Sequence, residues 1–212
     1  MVLNIPNNKK LEDLLQVSRE TIKSLNIYEE IILKNNKKIN LISKSTENNI
    51  KTRHILDSSQ VIDFIDKNCN NFADLGSGAG FPGIVLAILI KDRNYKTRVD
   101  LYEKSPRKCE FLSKVVKELN LNALVFEKNL FLEKNLRANT IVARAFKPIQ
   151  IVFEVVTKNF QKFENLILFL GKNGKQNLLD ASKVWEFEYK GIKSITSSDS
   201  LIVNVKKIRK KI

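Results

Sequence analysis

The sequence predicts an α/β protein in which a helical N-terminal extension precedes a mainly parallel sheet flanked by helices. Three observations predict it. Apolar positions recur at helical spacing across residues 11–66 with no strand-like alternation. From Phe72 onward, short apolar runs alternate with amphipathic stretches, and the first of these runs ends in a glycine-rich turn. The expected division is a helical extension over 1–70 and an α/β core over 71–212. The polar break at 68–71 is too short to make the extension an independent domain.

Each element has its own justification. In the extension, Leu11, Leu14, Leu15, Ser18 and Ile22 fall at helical intervals, as do Ile31, Ile32, Asn35 and Ile39. In the core the candidate strands are 72–75, 97–103, 123–127, 140–144, 165–170, 184–190 and 200–207, and the candidate helices 82–91, 105–120, 148–162 and 174–182. Ser105 and Pro106 offer an N-cap and a proline at the first helical position, so a firm helix should bury Phe111, Leu112, Val115, Val116 and Leu119. Pro148 can start the next helix in the same way. Residues 191–200 show no helical pattern, which predicts that the last two strands form an antiparallel pair at the end of the sheet.

Size and composition bound the function. With 212 residues, 43% hydrophobic and 28% charged, the chain can bury a sizeable core and is neither wholly disordered nor a large multidomain machine. Cys69 and Cys109 are too few for a disulfide framework, and with His54 the single histidine no structural metal site is expected. A reducing cytoplasm fits this cysteine usage. Residues 1–10 are polar with no apolar leader core, and no apolar run is long enough to cross a bilayer, so neither secretion nor a membrane is expected. The 37 Lys+Arg against 23 Asp+Glu leave a net charge of +14, which makes polyanions, nucleic acid first, the expected partners. A base-skewed genome would enrich Lys and Asn in the same way. The C-terminal Lys206-Lys207-Ile208-Arg209-Lys210-Lys211 cluster reads as a solvated end ahead of a phosphate-contacting tail.

The most specific local signal is Phe72-Ala73-Asp74-Leu75-Gly76-Ser77-Gly78-Ala79-Gly80-Phe81-Pro82-Gly83, an apolar strand running into a glycine loop and a helix. Positions without side chains permit a tight turn, so a nucleotide-like cofactor can lie across the carboxyl end of the sheet, with Gly76 and Gly78 against it. Gly78 to Gly83 also satisfies the dinucleotide pattern G-x-G-x-x-G, and Glu103 lies 20 residues beyond Gly83. Two features favour S-adenosyl-L-methionine over a dinucleotide. Asp74 places a carboxylate where a cationic amino acid and sulfonium would lie, and Phe81-Pro82 puts bulk where a pyrophosphate would need access. Glu103 fits either cofactor, since it can accept bonds from ribose hydroxyls.

The loop does not stand alone. Asn40-Leu41-Ile42-Ser43, Arg53-His54-Ile55-Leu56-Asp57-Ser58, the glycine loop and Ala143-Arg144-Ala145-Phe146 occur in this order. Together they resemble the small-subunit ribosomal RNA guanine-N7 methyltransferases, once called glucose-inhibited division protein B, over roughly residues 28 to 175. The resemblance implies a Rossmann-like class I methyltransferase core with a mainly seven-stranded sheet. It also implies transfer of a methyl group from S-adenosyl-L-methionine to N7 of a guanine in 16S rRNA, with 16S rRNA or the small ribosomal subunit as partner. By matching positions, Gly76 and Phe81 would line the cofactor, Glu103 would hold its ribose, and Phe131 and Leu132 its adenine edge. Arg144 would serve the methionine end or the reacting base and is the one catalytic assignment. Arg53, His54, Phe146 and Lys172 would meet the RNA. Two departures stand out. Leu130-Phe131-Leu132 occupies a stretch where relatives tend to carry Arg, a small apolar residue and Glu, and Leu170 precedes Gly171 where relatives often have Lys, leaving Lys172 as the substitute.

Guanine N7 is a neutral lone-pair nucleophile, so alignment matters more than a general base. Its edge is hidden in the deep groove of an RNA helix, so the expected substrate is an unstacked nucleotide gripped by stacking and basic contacts, with Phe81 and Phe146 as candidate platforms. Each site residue also has a structural reading: His54 as a satisfied core histidine, Arg53 as the partner of Asp57 four residues on, Cys109 as packing, Trp185 and Tyr189 as core or edge residues. Two other functions remain open on the sequence: an NAD-dependent oxidoreductase, and a catalytically silent ribosome-assembly factor with the same fold. Nothing in the sequence demands more than a monomer.

Overall fold

Helices α1 (Asn8–Leu15) and α2 (Arg19–Ile39) open the fold. The computed structural model describes residues 8–212, so the polar stretch read at the N-terminus lies mostly outside the described residues. Ser18 caps α2 by accepting the Thr21 N–H, and Asn40 ends it in the left-handed conformation at φ 45°. The buried face of α2 runs through Ile22, Leu25, Tyr28, Ile32 and Asn36. The expected face therefore holds at Ile22 and Ile32 but shifts by one residue at Asn35. Asn36 is the buried amide because its Oδ1 accepts the backbone N–H groups of Leu41 (2.6 Å) and Ile42 (2.9 Å). A tight turn (Lys44–Asn49), a widened π-type turn (Lys51–Leu56), the short helix α3 (Asp57–Ser59) and a last turn (Ile62–Phe64) complete the extension.

The core contains β1 (Asn71–Leu75), α4 (Gly83–Asp92), β2 (Arg98–Glu103), α5 (Pro106–Glu118), β3 (Ala123–Glu127), β4 (Thr140–Arg144), α6 (Ile149–Asn159), β5 (Asn165–Leu170), α7 (Gly174–Ser182), β6 (Trp185–Lys193) and β7 (Leu201–Lys210). They form one seven-stranded sheet in the order β3-β2-β1-β4-β5-β7-β6. The first five strands are parallel, while β7 runs antiparallel to both β5 and β6. The expected antiparallel pair is present, and β7 is the member inserted next to β5.

Strand periodicity divides the apolar residues between two layers. Phe72, Val99, Leu101, Val142, Ile167 and Ile202 face the layer shared with α2, α4 and α5. Ala73, Leu75, Ile141, Ala143, Leu166, Leu168 and Val203 face the layer with α6 and α7. Helix α4 is buried at every position from Gly83 to Ile90 because the extension covers the side turned away from the sheet. Leu11, Leu25 and Tyr28 belong to this same hydrophobic cluster, so the extension completes the core.

The Ser105–Pro106 helix start needs one correction. Pro106 is the first helical residue, but the Ser105 side chain makes no cap bond. The Lys108 N–H donates to the Ser105 carbonyl at 3.0 Å, and the Glu103 carboxylate takes the Lys104 and Ser105 N–H groups just before the helix, at 2.8 and 2.9 Å. Cys109, Phe111, Leu112 and Val115 form the buried face of α5.

Candidate active site

The loop after β1 turns on three left-handed glycines, Gly76 (φ 71°), Gly78 (φ 58°) and Gly80 (φ 98°). The Gly76 and Ser77 N–H groups both donate to the Tyr102 carbonyl, at 2.9 and 3.0 Å, which ties the loop to the end of β2. A β-carbon on Gly76 would overlap the Phe146 ring, and one on Gly80 would meet Ile84 and the Tyr28 hydroxyl. Tyr28 reaches the loop from the extension by donating to the Ala79 carbonyl at 2.7 Å. The Gly78 N–H donates to Glu103 Oε2 at 2.9 Å. Glu103 thus accepts three backbone N–H bonds, leaving about one of a carboxylate's four lone-pair sites open.

Beside this loop lies a cavity of about 220 Å³, lined by Gly76, Tyr102, Glu103, Leu130, Phe131 and Phe146 together with Lys104, Lys128 and Lys147. It opens at the carboxyl ends of β1, β2, β3 and β4, the edge where doubly wound sheets bind ligands. Phe146 lies over Gly76 at one wall of the cavity, whose volume is below the ~300–1,000 Å³ usual for ligand sites. The Phe131 and Phe146 rings lie 6.3 Å apart and within 23° of parallel, and the Lys147 ammonium stands 5.8 Å from the Phe131 centroid.

Next to the cavity, Arg144 at the end of β4 turns into a polar cluster instead of the cavity itself. Its Nη2 donates to the Arg53 carbonyl (2.7 Å) and pairs with Asp57 Oδ2 (3.1 Å), while Nη1 lies 3.3 Å from His54 Nδ1. The guanidinium carbon sits 5.9 Å from both the Phe81 and Phe169 ring centroids. His54 stacks on Phe81 with centroids 4.7 Å apart, and its Nε2 lies 3.0 Å from Thr46 Oγ1. Asp57 Oδ1 accepts from Thr196 Oγ1 (2.6 Å), Ser194 Oγ (3.2 Å) and Gln60 Nε2 (3.1 Å). One carboxylate therefore joins the extension, β4 and the β6–β7 loop.

Burial sets the charges here. It pushes the His54 imidazole down to about 4, helped by the Arg144 and Arg53 cations. The ring is neutral at pH 7, so Nδ1 accepts from Arg144 and Nε2–H donates to Thr46. Burial also raises Asp74 to about 7, although bonds from Ser77 and Gly83 and the Arg144 charge oppose the rise. Asp74 lies outside the cavity lining: it is 1% exposed and its Oδ2 accepts the Gly83 N–H at 3.1 Å. That bond occupies the first N–H of α4, where a dinucleotide pyrophosphate would dock.

The sequence-selected residues are dispersed. Gly76, Glu103, Phe131 and Phe146 line the cavity; Gly78 contacts it only through Glu103. Phe81 is 7% exposed beneath His54 and Arg144, so it is neither a cavity wall nor a free platform for a base. Leu132 is 78% exposed and outside the cavity lining; Leu130, buried beneath, takes that place. Lys172 is exposed in the turn after β5 and does not line the cavity. Arg53 does not pair with Asp57, which is taken by Arg144. Cys109 is buried with its thiol pushed up to about 11, by burial and then by Glu103, so it is packing. Trp185 is buried against Phe153, and Tyr189 is exposed on the edge strand. Sequence reasoning missed Tyr102, Lys104, Lys128 and Lys147, whose only signal is their position at or just after strand ends.

A mainly parallel sheet carrying a glycine turn, an acidic strand end and a cavity at its carboxyl edge defines a Rossmann-like methyltransferase. Solved structures share this fold. A SAM-dependent methyltransferase from Aquifex aeolicus matches with a TM-score of 0.56 at 15% identity, covering 76% of this chain and 95% of that one. A TehB-like SAM-dependent methyltransferase from Corynebacterium glutamicum matches with a TM-score of 0.53 at 13% identity, covering 72% and 87%. The sequence resolves the family. A family model described as rRNA small subunit methyltransferase G (GidB) matches residues 21–203. The chain is 46% identical over 197 residues to the ribosomal RNA small subunit methyltransferase G of Pelagibacter ubique, covering 92% of each. It is 36% identical to that of Rickettsia felis, covering 93% of this chain and 99% of the relative. The chain belongs to the GidB family of rRNA small subunit methyltransferases.

Proposed function

We propose that the protein transfers a methyl group from S-adenosyl-L-methionine to N7 of a guanine in 16S rRNA, acting as a cytoplasmic monomer on the RNA or the small subunit. The observation that carries this reading is the cavity between the glycine turn and Glu103 in a chain of this family. Gly76 would admit the cofactor's backbone-proximal edge, and the open lone-pair site of Glu103 would take a ribose hydroxyl. When bound, the cofactor supplies a methyl group on a positively charged sulfur. Among the described residues no helix is long and apolar enough to cross a membrane.

The residues around the cavity supply alignment. N7 has no proton to lose, and the neutral, fully engaged His54 is not needed as a base. Holding two reactants in line can lower the barrier by up to ~7–11 kcal/mol. Positive charge moves onto the guanine, so an uncompensated cation beside it would oppose transfer; Asp57 at 3.1 Å offsets the Arg144 charge. Arg144 Nε–H and its remaining Nη1–H are left to donate to guanine O6, next to N7 on the same base edge. Phe146 would stack on the base, and the exposed Arg53 would meet phosphate.

The test combines two measurements on the purified protein. Calorimetric titration should show S-adenosylhomocysteine binding that Gly76→Arg abolishes, and labelled-methyl transfer to 30S particles should yield N7-methylguanine in 16S rRNA. Binding of NADH with indifference to S-adenosylhomocysteine would refute the reading. Binding without transfer would indicate a silent assembly factor.

A further inference from the structure

We infer that Thr196, in the loop between β6 and β7, is a positioning residue for methyl transfer: by fixing Asp57 it sets the direction in which Arg144 presents its guanidinium to the base. This rests on the methyl-transfer reading above. The Phe81 and Phe169 rings, each 5.9 Å from the guanidinium carbon, attract the cation but leave it free to turn, and His54 Nδ1 at 3.3 Å is a long contact. The directional bonds are to the Arg53 carbonyl at 2.7 Å and to Asp57 Oδ2 at 3.1 Å. Both engage Nη2, so the direction of Nε–H and of the free Nη1–H follows from where Asp57 stands.

The β6–β7 loop decides where Asp57 stands. Its Oδ1 accepts from Gln60 within the extension, and from Thr196 and Ser194 across the fold. Each hydroxyl has one proton to give, and the 2.6 Å contact from Thr196 has the length of a charge-assisted bond, against 3.2 Å from Ser194. Thr196 is 2% exposed and β-branched, so packing holds its rotamer. The Gln60 side-chain carbonyl accepts the Ile195 N–H at 2.7 Å, and the Ser194 N–H donates to the Ser200 carbonyl at 3.0 Å; the loop is thereby latched to the extension and closed on itself. It leads into β7, which pairs with β5, which pairs with β4, the strand that carries Arg144. The carboxylate is thus held in register with the sheet that bears its partner, and the Thr196 hydroxyl closes that circuit.

The experiment compares Thr196→Val and Thr196→Ser with wild type, and takes Thr97→Val as control. Thr97 is also buried and donates to the Cys69 carbonyl at 2.7 Å, but it lies just before β2, at the amino end of the sheet. The readouts are kcat and KM for methyl transfer to 30S particles, S-adenosylhomocysteine affinity by calorimetry, and rotation of the Arg144 guanidinium from the NMR line shapes of its nitrogen-bound protons, assigned with Arg144→Lys. Thr196→Val should lower kcat about 10- to 100-fold, the cost of a misaligned reactant, and raise KM by less. Cofactor affinity should stay within about twofold, because neither Thr196 nor Arg144 lines the cavity, and guanidinium rotation should quicken at least about twofold. Thr196→Ser keeps the hydroxyl and should recover kcat to within about threefold, while Thr97→Val should hold it within about twofold. Should Thr196→Val not fold, Ser194→Ala removes the longer bond and should lower kcat about threefold. Unchanged kcat and rotation, a loss of cofactor affinity, or an equal fall of kcat in Thr97→Val would overturn the proposal. No transfer by wild type would sink the methyl-transfer reading instead, and guanidinium rotation in Thr196→Val would still decide whether the loop holds Arg144.

Discussion

Replacing Asp57 by Asn tests whether this carboxylate holds the site together. The Asp57 and Arg144 side chains are 15% and 18% exposed, so the pair is mostly desolvated. The amide keeps an acceptor for Thr196 but removes the countercharge of a guanidinium whose burial already disfavours its charged form. Removing one partner of a buried pair costs about 3–5 kcal/mol. Residual exposure, the Arg53 carbonyl and the two flanking phenyl rings soften this, and we expect about 2–3 kcal/mol. With a urea slope of about 2 kcal/mol per molar, the unfolding midpoint should fall by about 1–1.5 M.

Two comparisons sharpen the assay. Asp63→Asn breaks the 2.7 Å pair with Arg93, whose side chains are 80% and 35% exposed, and should cost under about 1 kcal/mol. Thr196→Val removes a 2.6 Å bond to the charged Asp57 and should cost about 1.5–3 kcal/mol in wild type. It should cost at least about 0.5 kcal/mol less in the Asp57→Asn background, because the groups form one network. An Asp57→Asn midpoint indistinguishable from that of Asp63→Asn, or strict additivity with Thr196→Val, would refute the reasoning.

Further predictions concern pH and the glycine turn. His54 is held near 4 against ~6.5 unfolded, so its contribution is full above pH 6.5 and drains as pH falls toward 4. Asp74 is held near 7 against ~3.9 unfolded, so its contribution is full below pH 4 and drains as pH rises toward 7. Each slope is at most about 1.4 kcal/mol per pH unit and they oppose each other between pH 4 and 6.5; relative to wild type, His54→Asn should lose stability as pH rises from 4.5 to 6.5 and Asp74→Asn should gain it, by urea titration at each pH. Gly83→Ala would push a methyl into Leu101 and the Asp74 carboxylate, and should cost about 1–3 kcal/mol in urea. Gly76→Ala sets a β-carbon at φ 71° against Phe146, and should cost only about 1–2 kcal/mol of stability yet lower S-adenosylhomocysteine affinity at least tenfold by calorimetry.

What the sequence discloses and what it conceals separate along one physical line. The strands are legible because the central ones are buried on both faces, so β5 reads as an unbroken apolar run from Leu166 to Leu170 and β1 as one interrupted only by Asp74, and the glycine turn is legible because left-handed backbone demands it. The contacts of the site are not legible, since they join distant elements: Arg144 reaches back 91 residues to the Arg53 carbonyl, and Thr196 reaches back 139 to Asp57. Local spacing also misleads where the local conformation departs from the assumed one. Arg53 and Asp57 stand four apart, the spacing of an α-helical ion pair, but the chain between them is a widened π-type turn and Arg144 claims the carboxylate. Ser105 precedes a proline as a cap should, yet the Lys108 N–H is taken by the Ser105 carbonyl and not by its side chain. Phe81 is the sharpest case. Its bulk in the glycine loop argues against a pyrophosphate, and in the fold that bulk also seats His54 and Arg144, so the residue shapes the site by supporting the cation beside it.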